Sequence, residues 1–411
     1  MDRIVKIVGH EILNAKGKPT VEAELWTQSG VHVTASVPSG ASTGKYEAHE
    51  KYDGGARYRG FGCRQAAENL STEIHQALYG MDVCDQQAID RTLVALDGTP
   101  NKERLGGNAI LAASVACSKA AAASKGVPVF RSIQTGQPAS IPHLAATVIA
   151  GGAFSPSDTA LEFEDYLCIL DGFDSYAEEL EALCTIRYTL EKQLVEQFGP
   201  ILEDGGALAP PLRSTGEAFA AILRAAQTAG YGEYVTLGLD VAASELYDEA
   251  SDTYRLADRT FTREQLVAYY VQLCDTYPIS YLEDPFDQDD FAGFQQLKAA
   301  LPQLYIVGDD LFVTNVERLK LGIEKGLANG LLFKINQIGT VSEAIAAGCL
   351  ARENGYAITF SARSGETTDD YIADLATAFG AEKIKLGSPV RAERNVKFNR
   401  LLRIEEEMHN G

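Results

Sequence analysis

Apolar, strand-like runs that each end on a charged residue constrain this chain more than any other feature. Asp240 closes Thr236-Leu237-Gly238-Leu239, Glu283 closes Ile279-Ser280-Tyr281-Leu282, and Asp309 closes Tyr305-Ile306-Val307-Gly308. Lys334 closes Leu331-Leu332-Phe333 and Lys385 closes Lys383-Ile384, with Ser361 standing between those two steps. The spacing is that of a strand plus a crossover helix, and long helical patterns such as 178–196 and 217–229 fill intervals earlier in the series. A lone charge is costly to bury, so the runs must deliver these residues to a place where charges meet. Alternation of this kind predicts a parallel α/β architecture and specifically a barrel, in which reacting groups gather at the C-terminal ends of the strands.

The first 60 residues read differently. Ile4–Val8, Thr20–Trp26 and Val31–Ala35 alternate in period two and predict a small antiparallel sheet. A loop suited to closing over a site follows at Val37-Pro38-Ser39-Gly40-Ala41-Ser42-Thr43-Gly44. From about 62 to 135 the pattern is helical and rich in alanine, and Thr135-Gly136-Gln137-Pro138 reads as a boundary. The expectation is an α+β capping domain over 1–135 and a barrel over 136–411.

With 411 residues, 45% of them hydrophobic, the chain can bury a large core. Its formal charge of −21 opposes binding to nucleic acid or to an anionic membrane surface, whereas a divalent cation would be drawn to it. The N-terminus lacks a signal-peptide pattern, and no apolar stretch approaches the ~20 residues needed to cross a bilayer. Seven cysteines without CxxC spacing predict reduced, mostly core thiols, so a cytoplasmic protein is expected.

At one barrel mouth Asp240, Glu283 and Asp309 would offer hard oxygen ligands with no His or Cys beside them, a set that suits Mg²⁺ or Mn²⁺. Lys334 and Lys385 would face that ion from following strands, and mutual repulsion would draw a lysine pKa down toward the working range of a general base. A metal on a substrate carboxylate and a neutral lysine at its α-carbon are what abstraction of a weakly acidic α-proton needs. Any one of these residues could be an ordinary barrel-mouth ion pair; five in register argue for a site.

The flanking segments carry a resemblance. Gly238-Leu239-Asp240-Val241-Ala242-Ala243-Ser244-Glu245, Leu282-Glu283-Asp284-Pro285-Phe286-Asp287-Gln288-Asp289-Asp290, Val307-Gly308-Asp309-Asp310-Leu311, Lys334-Ile335-Asn336-Gln337-Ile338-Gly339 and Ser361-Ala362-Arg363-Ser364-Gly365-Glu366 are similar to motifs of the enolase family. So are the loop at 37–44 and Leu105-Gly106-Gly107-Asn108-Ala109-Ile110, and the resemblance spans essentially the whole chain. It implies an enolase-type (β/α)8 barrel with an N-terminal α+β capping domain, an enolase-like lyase, and a homodimer or larger homo-oligomer. It implies one high-affinity Mg²⁺ on Asp240, Glu283 and Asp309, and a second arriving with substrate through Ser39. Lys334 would be the α-proton base, Lys385 would meet the substrate carboxylate, and Arg363 and Ser364 would hold the phosphate of a small phosphorylated carboxylic acid, the planar arginine fork suiting two oxygens at once.

The chain also departs from the family pattern. Ala362 stands where the family carries a histidine, and Gly151-Gly152 leads to Ala153-Phe154 where a second histidine is usual. Glu164-Asp165 matches the family's Gln-Glu, with Glu164 at a substrate-binding position, and Glu203-Asp204-Gly205-Gly206, followed by an extra residue, matches its acidic Asp-Glu-Gly-Gly, leaving open whether Glu203 or Asp204 points inward. Asn14-Ala15-Lys16 replaces Asp-Ser-Arg. Groups for the metal, carboxylate, phosphate and α-proton are kept, while those around the departing hydroxyl change. The expectation is therefore a specialised paralogue that forms the ene-diolate of a phosphorylated three-carbon acid, such as a carboxyphosphonoenolpyruvate synthase-like enzyme of phosphonate or secondary metabolism. The alternatives are an ordinary enolase using Asp165 and Asp204 or Glu203, and a catalytically silent binding protein.

Overall fold

The computed structural model describes residues 1–40, 44–152 and 155–410. Part of the predicted closing loop and the Phe154 position lie outside the described residues.

Strands β1 (Ile4–Leu13), β2 (Pro19–Thr27) and β3 (His32–Ser36) form the antiparallel N-terminal sheet that the period-two pattern predicts. The alanine-rich stretch becomes the helix Gly107–Lys125, buried along most of its length. A helix apolar on all sides has to be covered on all sides. This one packs against β2 and β3 on one face and against the barrel helices Ile335–Ile338 and Val341–Glu353 on another. It thereby ties the N-terminal sheet to the helix that begins immediately after Lys334.

Eight of the described strands close into the barrel: β4 (His143–Ala150), β5 (Asp165–Leu170), β8 (Val235–Asp240), β12 (Ile279–Glu283), β13 (Tyr305–Gly308), β14 (Gly330–Phe333), β15 (Ala357–Ser361) and β16 (Lys383–Lys385). Pairing of β16 with β4 completes the circle. A hairpin of β6 (Leu202–Asp204) and β7 (Ala207–Ala209) attaches to β4, and a small sheet of β9 (Tyr247–Asp248), β10 (Thr253–Leu256) and β11 (Arg259–Phe261) follows β8. The architecture is α/β, a closed eight-stranded barrel with an N-terminal α+β cap, as the enolase resemblance implies. One part of the wholly parallel expectation is corrected: β5 runs antiparallel to both β4 and β8. Among the described residues no helix separates β4 from β5, so the chain returns in the opposite direction, whereas a parallel pair needs a crossover.

Side chains at the first turns punctuate the barrel helices. Ser175, Ser214, Thr262, Asp290, Asn315 and Thr340 each accept a hydrogen bond from a backbone N–H of the helix they open. The described cysteines are all free, with Cys63, Cys117 and Cys168 buried but Cys84 and Cys184 exposed, so the core expectation holds for only part of the set. No described helix is long and apolar enough to cross a membrane.

Candidate active site

Register brings the charged strand ends together. Asp240 pairs across the sheet with Asp165 on one side and Glu283 on the other. Asp309 and Lys334 lie just past β13 and β14, and Lys385 ends β16. The Lys385 ammonium donates to Asp240 Oδ2 at 2.6 Å and to both Glu283 oxygens at 3.1 Å, and lies 3.3 Å from Asp165 Oδ2. Lys334 Nζ donates to Asp309 Oδ2, while Gln337 Nε2 donates to Asp309 Oδ1 at 2.7 Å. Tyr281 donates to Glu283 at 2.7 Å. Asp284, at φ +41°, accepts the backbone N–H groups of Asp309 at 2.8 Å and Asp310 at 2.7 Å, which fixes the loop that presents both.

The electrostatics correct one expectation. Burial, the largest single effect, pushes the Lys334 pKa down and Arg363 and Lys385 repel its charge, but Asp309 and Glu283 act against them and the net shift is upward. Lys385, likewise buried, is lifted well above the usual lysine range by Asp240, Glu283 and Asp165. The mutual repulsion of the two ammoniums is present but does not set the net shift, because each has carboxylates at contact distance. The acids bear the complementary strain. Burial and Asp240 push Glu283 far up, burial raises Asp165 against the pull of Lys385, and burial with Asp309 takes Asp310 to about 7. Asp240 is lowered, since Lys385 and other groups more than offset its burial.

Burial is the largest cause of these raised carboxyls and repulsion from neighbouring carboxylates adds to it, so the cluster gathers buried acids whose donors are hard oxygens alone. This chemistry fits a divalent cation of the magnesium type. The one trio among the described residues whose ligand oxygens lie within 4.8 Å of one another is Asp284, Asp309 and Asp310. Asp284 already serves the backbone of the other two.

A single cavity unites the site. Its walls include Glu164, Asp165, Asp204, Asp240, Asp309, Lys334, Lys385, Arg363 and Ser364. Ala362 is also a wall residue, so its missing imidazole is free volume there, and no histidine lines the cavity among the described residues. Glu164 is pushed well up by burial and by the Asp240 and Asp165 charges. Alternation along β6 separates the two candidate acids: Asp204 faces the cavity, where Lys16 pairs with it, while Glu203 is held by Arg187 at 2.6 Å and Arg391 at 2.7 Å.

Arg363 shows what the sequence reading missed. Its guanidinium meets the covered side chain of half-buried Glu47 at 3.1 Å and that of buried Asn336 at 3.2 Å. Glu47 comes from the N-terminal half, and only its place after the 37–44 loop could have drawn attention to it. Ser39 is buried and is not a wall residue of the cavity; its Oγ accepts from Asn14 Nδ2 at 2.7 Å, and its backbone exchanges two 3.0 Å hydrogen bonds with Gly365. The 14–18 turn, the Ser39 segment and the Arg363–Glu366 loop are thus joined, since Ala15 N–H also donates to Glu366 O at 2.8 Å.

Comparison with known proteins places this geometry. Residues 4–133 match the family model described as the enolase N-terminal domain, and residues 138–411 match that of the enolase C-terminal TIM barrel domain. The chain is 45% identical to the enolase of Methanopyrus kandleri over 99% of its own length and 96% of that protein. It is 44% identical to the enolase of Pyrococcus furiosus over 98% of this chain and 95% of the other. The enolase of Rubrobacter xylanophilus is 44% identical over 99% and 96% respectively.

Proposed function

The chain belongs to the enolase family and is an enolase-like lyase, and from that premise we propose that it interconverts 2-phosphoglycerate and phosphoenolpyruvate. The observation that carries this reading is that Lys334, Lys385, Arg363 and Ser364 share one cavity with Asp240 at the end of β8 and Asp309 just past β13. Likeness over nearly the full length to proteins named enolase favours this ordinary reaction over the specialised paralogue that the departures from the family pattern suggest.

Asp240, Glu283 and Asp309 would hold Mg²⁺, with a second ion arriving beside Ser39 when substrate binds. When bound, the metal would supply charge stabilisation to a substrate carboxylate that becomes an ene-diolate, as in enolase-superfamily sites, which set a lysine or histidine base beside magnesium. With Asp309 and Glu283 serving as metal ligands, less of their charge would remain to keep Lys334 protonated. Burial and the neighbouring Arg363 and Lys385 charges then favour the neutral amine, which takes the α-proton at Nζ. Lys385 meets the carboxylate, and Arg363 with Ser364 the phosphate. Asp204 faces the departing hydroxyl, which leaves as water once it receives a proton. Glu164 and Asp165, whose pKa values are raised, are suited to hold protons on that wall.

We assign the capping domain to 1–135 and the barrel to 136–411, and expect a homodimer or larger homo-oligomer working in the cytoplasm. The two family matches, which leave only 134–137 between them, support that division. Purified protein with Mg²⁺ and 2-phosphoglycerate should develop the ultraviolet absorbance of phosphoenolpyruvate. A flat trace with active-site binding intact would return the assignment to the specialised reading.

A further inference from the structure

Arg394 lies on the helix Ala392–His409, is 6% exposed, and lines the same cavity as Asp204 and Arg363. The other cations on that wall are matched: Lys334 by Asp309, Lys385 by Asp240 and Glu283, Lys16 by Asp204, and Arg363 by Glu47. Among the described residues the Arg394 guanidinium makes no hydrogen bond or ion pair, and its Nε is buried without a partner. A buried guanidinium nitrogen left without an acceptor is costly, and an oxyanion entering the cavity would supply that acceptor with opposite charge.

The local backbone is shaped to admit this side chain. A β-carbon at Gly387 would lie 3.6 Å from Arg394 Nε, and one at Gly205 would lie 3.4 Å from Nη2. Both glycines hold left-handed φ values, +81° and +56°, so a side chain at either position would be strained, while its β-carbon would only reach van der Waals contact with the guanidinium. The guanidinium is therefore lodged between two backbone segments that carry no side chains, beside the hairpin turn that presents Asp204.

We infer that Arg394 is an additional anion-binding residue of this cavity, taking a phosphate-type oxyanion that arrives with the substrate or as free inorganic phosphate. The inference rests on the proposed function only in supposing that a phosphorylated acid enters the cavity. Its chemistry is that of an arginine fork, which can donate two parallel hydrogen bonds to one oxyanion.

The test compares wild type, Arg394→Met and Arg394→Lys, each confirmed folded by its thermal melt, with inorganic phosphate titrated calorimetrically and the KM for 2-phosphoglycerate measured alongside. Loss of a charge-assisted pair should weaken anion binding by about tenfold or more in Arg394→Met, with a smaller loss in Arg394→Lys. A raised KM with unchanged binding of free phosphate identifies the substrate as the source; weakened free phosphate with an unchanged KM identifies a separate anion. If Arg394→Met does not fold, Arg394→Lys decides. Folded variants that match wild type in both measurements overturn the inference. Should wild type fail to turn over 2-phosphoglycerate while phosphate affinity still depends on Arg394, the proposed function falls and this inference stands.

Discussion

Lys334 holds its proton through Asp309, and its role as a base depends on that partner being drawn away. Lys334→Ala should reduce exchange of the substrate α-proton by about a thousandfold, within the usual range for loss of a general base. Exchange in deuterated buffer followed by mass spectrometry reads this directly, and near-normal exchange would remove Lys334 from the role. The two acids of β6 should separate. Asp204→Asn should block dehydration while leaving α-proton exchange, whereas Glu203→Gln should retain turnover, because its partners are Arg187 and Arg391 outside the cavity. Equal loss in both variants would contradict the assignment. The residues that the sequence made legible were those ending apolar runs, where a charge conflicts with its neighbours: Asp240, Glu283, Asp309, Lys334 and Lys385. Glu47, Gln337 and Arg394 carry no such conflict in one dimension. They become informative only through distant partners, or, for Arg394, through the lack of one.

At the level of elements, the helical and strand periods predicted the barrel because each strand run is short, apolar and terminated by charge. Reversal of β5 was not legible, since a strand flanked on both sides by partners has the same apolar pattern in either direction. The opposite end of the barrel offers a pH test away from the site. His143, at the start of β4, lies 3.0 Å from Glu179, which also accepts the Leu144 N–H. Hydrogen bonding to Glu179 raises the His143 pKa above its ordinary value of 6.5, against the opposing effect of burial. A raised pKa means the contribution is fully present below the unfolded value and disappears as pH rises through the folded one. Because the ring is partly exposed, the pair is worth about 0.5 kcal/mol. His143→Asn should therefore lower the urea midpoint at pH 5.5 more than at pH 9, and an equal drop at both would contradict it.

Over the whole molecule, the site joins two halves of the chain. The 14–18 turn, Ser39 and Glu47 reach it from the N-terminal half, and the barrel supplies the rest. The cost of gathering buried carboxylates is the price of a cation site, and it should be visible in stability. Mg²⁺ at about 100 times its dissociation constant should stabilise the fold by roughly 2.7 kcal/mol. Chelation should remove that gain, and Glu283→Gln should abolish it while leaving the metal-free protein close to wild type, because one buried, strongly raised carboxyl has been neutralised. An unchanged Mg²⁺-dependent rise in Tm for Glu283→Gln would place the ion elsewhere. The departures at Ala362, Asp165 and Asp204 concern the second half of the reaction, so the decisive observation has to see both halves together. Proton NMR of 2-phosphoglycerate with the wild-type protein and Mg²⁺ in deuterated water does so. The account predicts loss of the α-proton signal together with the vinyl signals of phosphoenolpyruvate; loss of the α-proton without those signals, or no change in either, would contradict it.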